Sequence, residues 1–566
     1  MKKWVLSCFD EPRIDELSTR LGTSRLIGSL LLARGTSDLE GAAAFLAPKI
    51  SSLRDPFDIS GIKEASQRVL MAGQRKEKVV VFGDYDVDGV TGTAIASQAL
   101  KAIGVLTSYY IPHRYDEGYG LSLAAVKKLA DEGIKLIITV DCGISNFKEI
   151  SYAKELGVDV VVTDHHNLPL ALPPAAAIVN PKSLPPGHPS RELCGAGVAF
   201  KFAWGLLRTA GLKDSLFLTS LLDLAALGTL ADVVPLTGEN RVLAAAGLNL
   251  INKRQRLGIK KLAEAAGLNG VIAADQIYFG LAPRLNAAGR LEHAGRSVDL
   301  LLTEDPARAG ELAAEIDKIN DRRKDIGSRI KEEVFSRLAD EKKGKAIVMS
   351  GDGWSPGVIG IVASQVAEAH NRPAVLIGVS GGFGRGSARS IGKLNIYNYL
   401  AKCSDLFVDF GGHAGAAGFK IAVENIPLFE RRFIEEANQG ITDDDLVPIL
   451  AIDAEVLIDQ LSLALVKEVA RLAPFGEGNP VPVLMMRDLA VSNFKTLGKG
   501  NKHLKIKFNR GGAEIEAIGF GLGRLAEQLD YAKRYDLAFN LESNEWNGFE
   551  TAQLRVVDMR EAEGVI

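Results

Sequence analysis

The sequence is poor in the residues that mark several common classes of protein. Only four of its 566 residues are cysteines, and no two of them form a Cys-x-x-Cys pair, which argues against a zinc ribbon. Their wide spacing, at Cys8, Cys142, Cys194 and Cys403, does not indicate a disulfide framework either. No apolar run is long enough to cross a bilayer, and the N-terminal stretch MKKWVLSCFDEPRIDEL is too acidic for a signal peptide. We therefore expect a cytoplasmic protein without a membrane partner.

An excess of charge of either sign is also missing. The chain has 67 Lys and Arg against 70 Asp and Glu, a formal net charge of −3. Nothing in this balance indicates a nucleic-acid partner, so any basic surface must be local. With 47% hydrophobic and 24% charged residues the composition is that of an ordinary globular protein, and the length predicts about three or four domains.

The clearest positive signal is the stretch VVVFGDYDVDGVT at residues 79–91. Four apolar residues run into Gly83 and then into three aspartates at every second position, Asp84, Asp86 and Asp88. The order predicts a buried strand, a tight turn and a helix of a parallel α/β unit, in which ligands bind at the strand ends. Three carboxylates there repel one another unless a cation neutralises them, and Mg²⁺ or Mn²⁺ suits such oxygen ligands. The alternative is an acidic turn that only caps the following helix.

Two more predicted strands end in similar groups. KLIITVDCG reaches Asp141, and VDVVVTDHH reaches His165 and His166 directly after Asp164. A single buried histidine is usually an ordinary core residue. Two adjacent histidines behind a carboxylate, in a sheet that already ends in acidic groups, favour a site for Mn²⁺ or another transition ion.

A further candidate ligand comes from the apolar helical run LLDLAALGTLADVVPL, which contains Asp232 near its end. Asp223 lies nine residues earlier on the same run and is the weaker alternative. The predicted catalytic set holds more oxygen and nitrogen ligands than one ion needs: Asp84, Asp86, Asp88, Asp141, His165, His166 and Asp232. Such a surplus fits two ions, which stabilise an in-line displacement at phosphorus. Phosphoester hydrolysis is therefore the predicted reaction class.

The alternation of strand and helix patterns predicts an α/β protein of several domains. Strand and helix patterns alternate up to about residue 235, which predicts a doubly wound parallel sheet. A mostly helical region with a charged, solvated connecting helix follows, then a second, smaller α/β region, and finally short strands with glycine turns that predict a small β-barrel. The predicted domains are an N-terminal helical segment at 1–50, the sheet domain with its helical extension at 51–300, the connecting helix at 301–340, the second α/β domain at 341–441 and the barrel at 442–566.

The motifs DYDVDG, TVDCG, TDHH and GTLADVV, in this order, resemble the four motifs of the DHH phosphoesterase family. With APRLNAAGR, GGHAGAAGF and APFGEGNPVPV, the chain is similar to the bacterial members that degrade single-stranded DNA from its 5′ end. The resemblance implies a DHH domain, a DHH-associated domain, an OB-fold in the tail and two Mn²⁺ or Mg²⁺ ions. Its metal ligands carry over to Asp86, Asp88, Asp141, His165 and Asp232. Asp84 and His166 lie close by, and Asp164 is expected to support a ligand without binding the metal.

Basic residues beside glycine-rich backbone predict a phosphate-binding site. GGFGRGSARS and GGHAGAAGF bring glycine turns with free backbone N–H groups next to Arg385 and other polar residues, although tight packing is the alternative for each turn. Arginines in APRLNAAGR and IPHRYDEGYG are expected in loops near the metal site. The resemblance implies that the terminal 5′-phosphate and the DNA contact Arg114, Arg284, Ser387, Arg389, Gly411, Gly412 and His413.

The tail contains the basic stretch FKTLGKGNKHLKIKFNR at residues 494–510. Its last sixteen residues include six Lys or Arg and no acid, with Phe494, His503 and Phe508 interleaved. Positive charge for the backbone and rings for the bases are typical of a single-strand-binding barrel. The alternative is a solvated hairpin edge that is rich in lysine to prevent aggregation. The predicted DNA contacts are Lys499, Lys502, Lys505 and Lys507.

The sequence thus predicts a two-metal 5′→3′ exonuclease that acts on single-stranded DNA in repair and recombination. One alternative is a DHH-family phosphodiesterase of short oligonucleotides or cyclic dinucleotides, which would not need a basic barrel. Another is a non-catalytic scaffold, but such proteins lose metal ligands, and every motif position is filled here. Single-stranded DNA is the expected partner, and the resemblance suggests a helicase and a single-strand-binding protein as further partners.

Overall fold

The chain divides into two compact units in the computed structural model, which describes residues 2–212, 215–340, 344–546 and 549–562. The larger unit comprises Val5–Ala282, Leu301–Glu304 and Ala451–Ile566, and the smaller unit comprises Met1–Trp4, Pro283–Leu300 and Asp305–Leu450. Over the described ranges, no helix combines the length and the apolar character that a membrane crossing requires.

The N-terminal segment is mainly helical, as predicted, but it opens with a short strand. Its elements are β1 (Lys3–Leu6), α1 (Glu11–Leu21), α2 (Arg25–Ala33) and α3 (Leu39–Leu46). Apolar side chains of the three helices, among them Leu17, Ile27 and Leu31, are buried in one hydrophobic core with the C-terminal strands. The helices therefore belong to the core of the larger unit.

A parallel sheet positions the predicted metal ligands. The elements, in chain order, are α4 (Ile62–Gln74), β2 (Lys78–Gly83), α5 (Val87–Ala102), β3 (Thr107–Tyr110), α6 (Leu123–Asp131), β4 (Ile134–Val140), α7 (Phe147–Glu155), β5 (Asp159–Thr163), β6 (Ala177–Val179) and α8 (Gly195–Thr209). All five strands are parallel, in the order β3-β2-β4-β5-β6. Nearly every residue of the three central strands is buried, as expected for a sheet with helices on both faces. The predicted doubly wound sheet is confirmed.

Helices occupy the next part of the chain, as predicted. They are α9 (Ser215–Ser220), α10 (Leu222–Ala231), α11 (Gly238–Asn252), α12 (Leu257–Ala265), α13 (Ala274–Gln276), a π-helical turn (Ile277–Leu281), α14 (Ala282–Leu291), α15 (Gly295–Leu302) and α16 (Pro306–Asp340). The predicted connecting helix is α16, which is 35 residues long and begins at Pro306. The helix ends at Asp340, and the predicted start of the next domain, residue 341, lies outside the described residues.

The smaller unit contains a mixed sheet flanked by helices. Its elements after α16 are β7 (Ile347–Asp352), α17 (Pro356–His370), β8 (Ala374–Ser380), β9 (Phe383–Arg389), α18 (Ile396–Ala401), β10 (Phe407–Gly412), β11 (Ala416–Ala422) and α19 (Ile426–Gly440). The strand order is β10-β11-β9-β8-β7, and only β7 and β8 are parallel. The prediction of a second, smaller α/β domain is confirmed.

The tail closes into a barrel, as predicted. The elements are β12 (Ile449–Ile452), β13 (Ala454–Glu455), α20 (Leu463–Ala470), β14 (Leu484–Leu497), β15 (His503–Arg510), β16 (Ala513–Gly519), β17 (Arg534–Trp546) and β18 (Phe549–Glu561). Strand β14 pairs with both β15 and β17, which closes a five-stranded barrel. The expectation of short strands is wrong, because three of these strands have 13 or 14 residues. A long β14 can pair with two neighbours along its length, as closure requires.

Candidate functional site

The carboxyl ends of the central strands bring three aspartates to one edge of the parallel sheet. In the strand register Gly83 pairs with Val140, and Val140 pairs with Thr163. The residues that follow these positions, Asp84, Asp141 and Asp164, therefore lie side by side. The backbone of Asp141 has a φ of 62°, a left-handed conformation that aspartate tolerates better than most residues.

His165 lies at the centre of the carboxylates. Its Nε2 atom is 3.0 Å from Asp141 Oδ1 and 3.8 Å from a carboxylate oxygen of both Asp88 and Asp232. Three overlapping groups each have their ligand atoms within 4.8 Å of one another: Asp141, His165 and His166; Asp88, His165 and Asp232; and Asp84, Asp86 and Asp141. The structure therefore brings together all seven residues of the predicted catalytic set.

Several oxygens of this cluster are buried without a hydrogen-bond partner in the described part of the chain. They are Asp84 Oδ1, Asp232 Oδ2 and Asp141 Oδ1, the last of which lies 3.0 Å from His165 Nε2 without forming a hydrogen bond to it. An unsatisfied buried carboxylate oxygen is unfavourable unless a cation binds it. The orphaned oxygens and the neighbouring imidazole thus form a donor set that fits divalent metal ions such as Mn²⁺.

The pKa values reflect the same crowding. Burial, together with the charge of Asp86, raises the pKa of Asp84 well above its usual range and that of Asp88 to about 6. Burial and the charges of Asp88 and Asp86 raise the pKa of Asp232 to about 9. The pKa of Asp141 is also raised, by burial first and then by its acidic neighbours. Without a cation the cluster resists full ionisation, so a bound cation would stabilise it.

His165 is suited to be a ligand because it stays neutral. Burial, and after it the neighbouring His166, lowers the pKa of His165 to about 3. A neutral imidazole keeps a nitrogen lone pair for a metal ion.

Asp88 is fixed by the first turn of α8. Its two carboxylate oxygens accept hydrogen bonds from the backbone N–H groups of Gly195, at 2.6 Å, and Ala196, at 2.8 Å. A helix N-terminus favours a negative charge in this position. A Cβ atom on Gly195 would lie 2.7 Å from the Cβ of Asp141, so only glycine lets the helix approach so closely. Helix α8 therefore orients one predicted ligand and limits the space beside another.

Asp86 meets the requirements of both its predicted role, metal binding, and the alternative, helix capping. Its side chain accepts a hydrogen bond of 3.1 Å from the N–H of Gly89 and so caps α5, while it also belongs to one of the candidate metal groups. The weaker alternative, Asp223, forms an ion pair of 2.8 Å with Arg256 and is in none of these groups. Of the two candidates, Asp223 on α10 and Asp232 directly after it, the structure thus places Asp232 at the cluster.

Asp164 supports the two histidines. One of its oxygens accepts hydrogen bonds from the backbone N–H groups of His165 and His166 and lies 2.8 Å from His166 Nδ1. Its other oxygen accepts from the N–H of Ile144. Burial alone would raise the pKa of Asp164, but these bonds hold it below its usual range. Both oxygens are therefore already engaged within the protein.

Two neighbours of the cluster complete its surroundings. Tyr119, which the sequence did not single out, donates a hydrogen bond of 2.9 Å to the carbonyl of Asp141, and its hydroxyl lies 3.1 Å from His166 Nδ1. The only sequence signal for it is its place in IPHRYDEGYG, the segment that also contains Arg114. Arg114 lies in a turn, as expected, and its guanidinium is 4.6 Å from the ring centre of Tyr85. Tyr85 is the residue between Asp84 and Asp86 in the sequence.

Comparison with known proteins agrees with this geometry. The chain matches the DHH family, N-terminal domain, over residues 78–229, the DHHA1 domain over 343–439 and the RecJ OB domain over 452–558. The single-stranded-DNA-specific exonuclease RecJ of Bacillus subtilis is 37% identical over 565 residues, covering 99% of this chain and 71% of the relative. That of Haemophilus influenzae is 35% identical over 531 residues, covering 90% of this chain and 92% of the relative.

The chain belongs to the RecJ family. The crystal structure of RecJ from Thermus thermophilus in complex with Mn²⁺ superposes on this chain with a TM-score of 0.86 and 33% sequence identity. The match covers 99% of this chain and 80% of the Thermus chain. The structure of that enzyme in complex with Mg²⁺ gives a TM-score of 0.80 and 31% sequence identity, and the match covers 99% of this chain and 79% of the Thermus chain. The predicted DHH resemblance and the predicted fold class are both confirmed.

The arginines proposed for phosphate binding in this RecJ-family chain include two in the smaller unit. Arg284 was expected in a loop, but it lies in α14, because the leucines and alanines of APRLNAAGRL recur at helical spacing. Its Nε atom donates to Asp317 Oδ1 at 2.8 Å. Arg389, at the end of β9, donates from one terminal nitrogen to Ser387 Oγ at 3.0 Å and from Nε to Ser364 Oγ at 3.2 Å.

Most of the two glycine-rich segments of the smaller unit lies in strands, and turns remain at 381–382 and 413–415, so the prediction of turns with free N–H groups is wrong for the strand residues. Strand β9 pairs with a neighbour on each side, so the sheet uses its backbone groups. A Cβ on Gly386 would overlap the ring of Phe419, which accounts for one glycine by packing. In the same register Gly411 pairs with Gly418, and Gly418 pairs with Ser387. This row lies on one sheet face and carries a single side chain, that of Ser387.

Gly412 and His413 end the edge strand of that sheet. Gly412 pairs with Ala417 and has a φ of 149°, and both Gly412 and His413 are exposed. The N–H of His413 donates to the carbonyl of Ala416 at 2.8 Å, and His413 Nδ1 accepts a bond of 3.2 Å from Gly415 N–H. The structure thus gives this turn internal bonds and leaves its surface accessible.

The basic stretch of the barrel differs from its prediction in two respects. Lys505 and Lys507 point outward from β15 and form ion pairs with Glu516, at 2.8 Å, and Glu514 on the adjacent β16. Phe508 was expected to be available to a base, but it is fully buried in the barrel core. The register of β15 places Phe508 on the inner face because the alternate positions carry the lysines. Lys499 and Lys502 are exposed in the loop between β14 and β15.

Proposed function

We propose that this protein is a Mn²⁺- or Mg²⁺-dependent exonuclease that hydrolyses single-stranded DNA. The observation that carries the proposal is the buried cluster of carboxylates around His165, with three orphaned oxygens, in a chain of the RecJ family. The residues that would hold two ions are Asp86, Asp88, Asp141, His165 and Asp232, with Asp84 and His166 beside them. When bound, the ions would stabilise charge at the phosphorus and lower the pKa of a water molecule.

The chain's own residues would fix the ligands before DNA binds. Asp164 orients both histidines through its hydrogen bonds, and Tyr119 holds His166 and the backbone of Asp141. Removal of such supporting residues typically changes metal affinity by about tenfold to a hundredfold. We also propose that Arg114 contacts a phosphate of the substrate strand, which its position over Tyr85 beside the carboxylates supports.

We also propose that degradation proceeds from the 5′ end and that the smaller unit recognises the terminal 5′-phosphate. Ser387 and Arg389 supply a hydroxyl and a guanidinium held 3.0 Å apart. The row of Gly411, Gly418 and Ser387 lets a strand approach the sheet closely, with Gly412 and His413 at its edge. Arg284 adds a second guanidinium, oriented by Asp317.

The test of the reaction is direct. The metal-stripped protein is supplied with Mn²⁺ and given end-labelled single strands, duplexes and dinucleotides. We expect single strands to be shortened from the 5′ end and duplexes to persist. Rapid cleavage of dinucleotides alone would support the alternative, a phosphodiesterase of short oligonucleotides or cyclic dinucleotides. The closed barrel and its match to the RecJ OB domain favour the exonuclease.

The test of polarity compares 5′-phosphorylated with 5′-hydroxyl strands in single-turnover reactions. Arg389→Ala and Arg284→Lys should each remove about tenfold to a hundredfold of the preference for the phosphate, since a hydrogen bond to a charged group contributes about 1.5–3 kcal/mol. The matched control is Arg385→Ala, which removes the same charge from the same face of β9, four residues from Arg389. Equal slowing of both substrates by all three variants would contradict this part of the proposal.

The remaining expectations concern the setting of the enzyme. We propose a cytoplasmic location, a role in DNA repair and recombination, and a helicase and a single-strand-binding protein as partners alongside single-stranded DNA. Purification of the tagged protein from nuclease-treated cells, followed by mass spectrometry, tests the protein partners. Recovery of neither class of protein would contradict them.

A further inference from the structure

The segment 473–483, APFGEGNPVPV, is one of the motifs that carry the resemblance, and the proposed reaction gives it no role. We call it the strap. It lies in the larger unit between α20 and β14. Asn479 organises it from inside: the side chain is fully buried and donates hydrogen bonds of 2.8 Å to the carbonyls of Leu472 and Pro474. Its oxygen accepts a bond of 2.5 Å from Arg34 Nε.

The strap packs against the turn that follows Asp232. The N–H of Leu236 donates a hydrogen bond of 2.8 Å to the carbonyl of Glu477, and Leu236 is fully buried. A Cβ on Gly478 would lie 3.2 Å from the Cβ of Pro235. A Cβ on Gly476 would lie 2.9 Å from Leu236 Cδ1 and would overlap the hydroxyl of Tyr278. The two glycines therefore permit an approach that no larger residue allows.

The turn itself is strained. Val233, directly after Asp232, has a φ of 59°, a conformation that a β-branched residue rarely adopts. Strain of this kind persists only where the surroundings fix the backbone. Beyond α10, the turn is held by the Glu477 carbonyl and by Asn240, whose side-chain amide donates to the Pro235 carbonyl at 3.1 Å.

We propose that the strap is a positioning element for Asp232: it holds the strained turn so that the carboxylate stays in the cluster around His165. The strap belongs to the segment that leads into the barrel, so the folding of the tail is coupled to the geometry of the metal ligands. Its residues act through Asp232 and touch no reacting atom. This inference rests on the proposed function, in which Asp232 is a metal ligand.

The test measures Mn²⁺ binding to the metal-stripped full-length protein by titration calorimetry, next to the Mn²⁺ concentration that gives half-maximal cleavage. Gly476→Ala should displace the strap from the turn, weaken Mn²⁺ binding by about tenfold or more, and raise the half-maximal concentration in parallel. Removing the overlapping hydroxyl with Tyr278→Phe in the same chain should restore part of the affinity. If Gly476→Ala does not fold, Gly478→Ala, which presses on Pro235, replaces it.

The control is Phe508→Ala, a substitution outside the strap that opens a cavity in the barrel core and lowers the thermal midpoint. It should bind Mn²⁺ like the wild type. A folded strap variant with wild-type Mn²⁺ affinity would overturn the proposal, and so would equal weakening in Phe508→Ala, because the effect would then be general destabilisation. A wild-type protein that binds no Mn²⁺ would instead contradict the proposed metal centre.

Discussion

The metal-ligand cluster and the basic hairpin of the barrel both concentrate charge of one sign, yet the structure treats them in opposite ways. In the cluster, carboxylates are buried together, and three of their oxygens have no hydrogen-bond partner in the described residues. In the hairpin, both lysines of β15 are on the outer face, and both form ion pairs with glutamates of β16. Unmatched buried charge indicates a missing ligand, whereas matched surface charge needs none.

The difference arises from topology. Parallel strands deliver the residues that follow them to one edge, so carboxylates far apart in sequence meet there whatever their charge. Antiparallel strands place each outward residue within reach of its direct and diagonal neighbours on the next strand, and such a neighbour can be of opposite sign. Here the ion pairs of Lys505 and Lys507 are both diagonal. Four experiments sharpen this contrast, from the largest expected effect to the smallest.

The largest effect is expected from loss of a central ligand. Asp141→Ala and His165→Ala should each lower the rate of single-strand cleavage at saturating Mn²⁺ by well over about a hundredfold, more than the loss of a supporting residue. The folded sheet should persist, because neither side chain is needed for strand pairing. Asp223→Asn is the matched control: it removes a carboxylate from α10 outside the cluster and should keep most of the rate. Near wild-type activity in both ligand variants would remove this cluster from the mechanism.

A smaller loss is expected from Asp164→Asn. The amide can still accept from the backbone N–H groups, but it no longer supplies the negative charge beside His166. We expect Mn²⁺ affinity to fall by about tenfold to a hundredfold, with a smaller loss of rate at saturating Mn²⁺. Titration of the metal, by calorimetry and by activity, separates the two quantities. A lower rate at saturation with unchanged affinity would mean that Asp164 acts in some other way.

The buried carboxylates should also make the metal-free protein sensitive to pH. The pKa values of about 9 for Asp232 and about 6 for Asp88 lie above that of an unfolded aspartate, about 3.9. At pH values between about 3.9 and about 9 the folded protein therefore binds more protons than the unfolded chain, so the free energy of unfolding falls as pH rises. The thermal midpoint measured in a chelator should therefore drop from about pH 6 to about pH 8.5, and Asp232→Asn should reduce the drop. A midpoint that rises over this interval would contradict the prediction.

The smallest effect is expected at the lysines that are already paired. Replacing Lys499 and Lys502 together by alanine should weaken binding to a long single strand and lower the salt slope by about 0.7 for each DNA phosphate that the variant no longer neutralises. The matched variant with alanine at Lys505 and Lys507 removes the same charge, but each lysine already forms an ion pair with a glutamate, so the slope should change less. Equal changes in the two variants would show that the ion pairs open when DNA binds.

Much of the site follows from local sequence, because the position of a residue directly after a buried strand is fixed by the strand. Asp84, Asp141 and His165 could be assigned to one edge for this reason. The motif also predicts Asp232, but the structure was needed to show that Asp232, and not Asp223, lies beside His165. It was needed as well for Tyr119, whose loop gives no periodic signal. For Arg284 the sequence predicts a loop, because a proline inside a helix resembles a loop in sequence, whereas the structure has the helix α14 there.

The sequence by itself determined the chemistry of this protein: the ligand types, their place at strand ends, the parallel sheet and the barrel. These depend on hydrophobic period and on short motifs, which act over a few residues. Only the tertiary structure decided which charges are left unpaired. Contacts between separate segments produce the ion pairs of Lys505 and Lys507, the burial of Phe508 and the packing of the strap against the turn of Asp232. Electrostatic energy depends on those distances and on burial, so no local pattern could supply it.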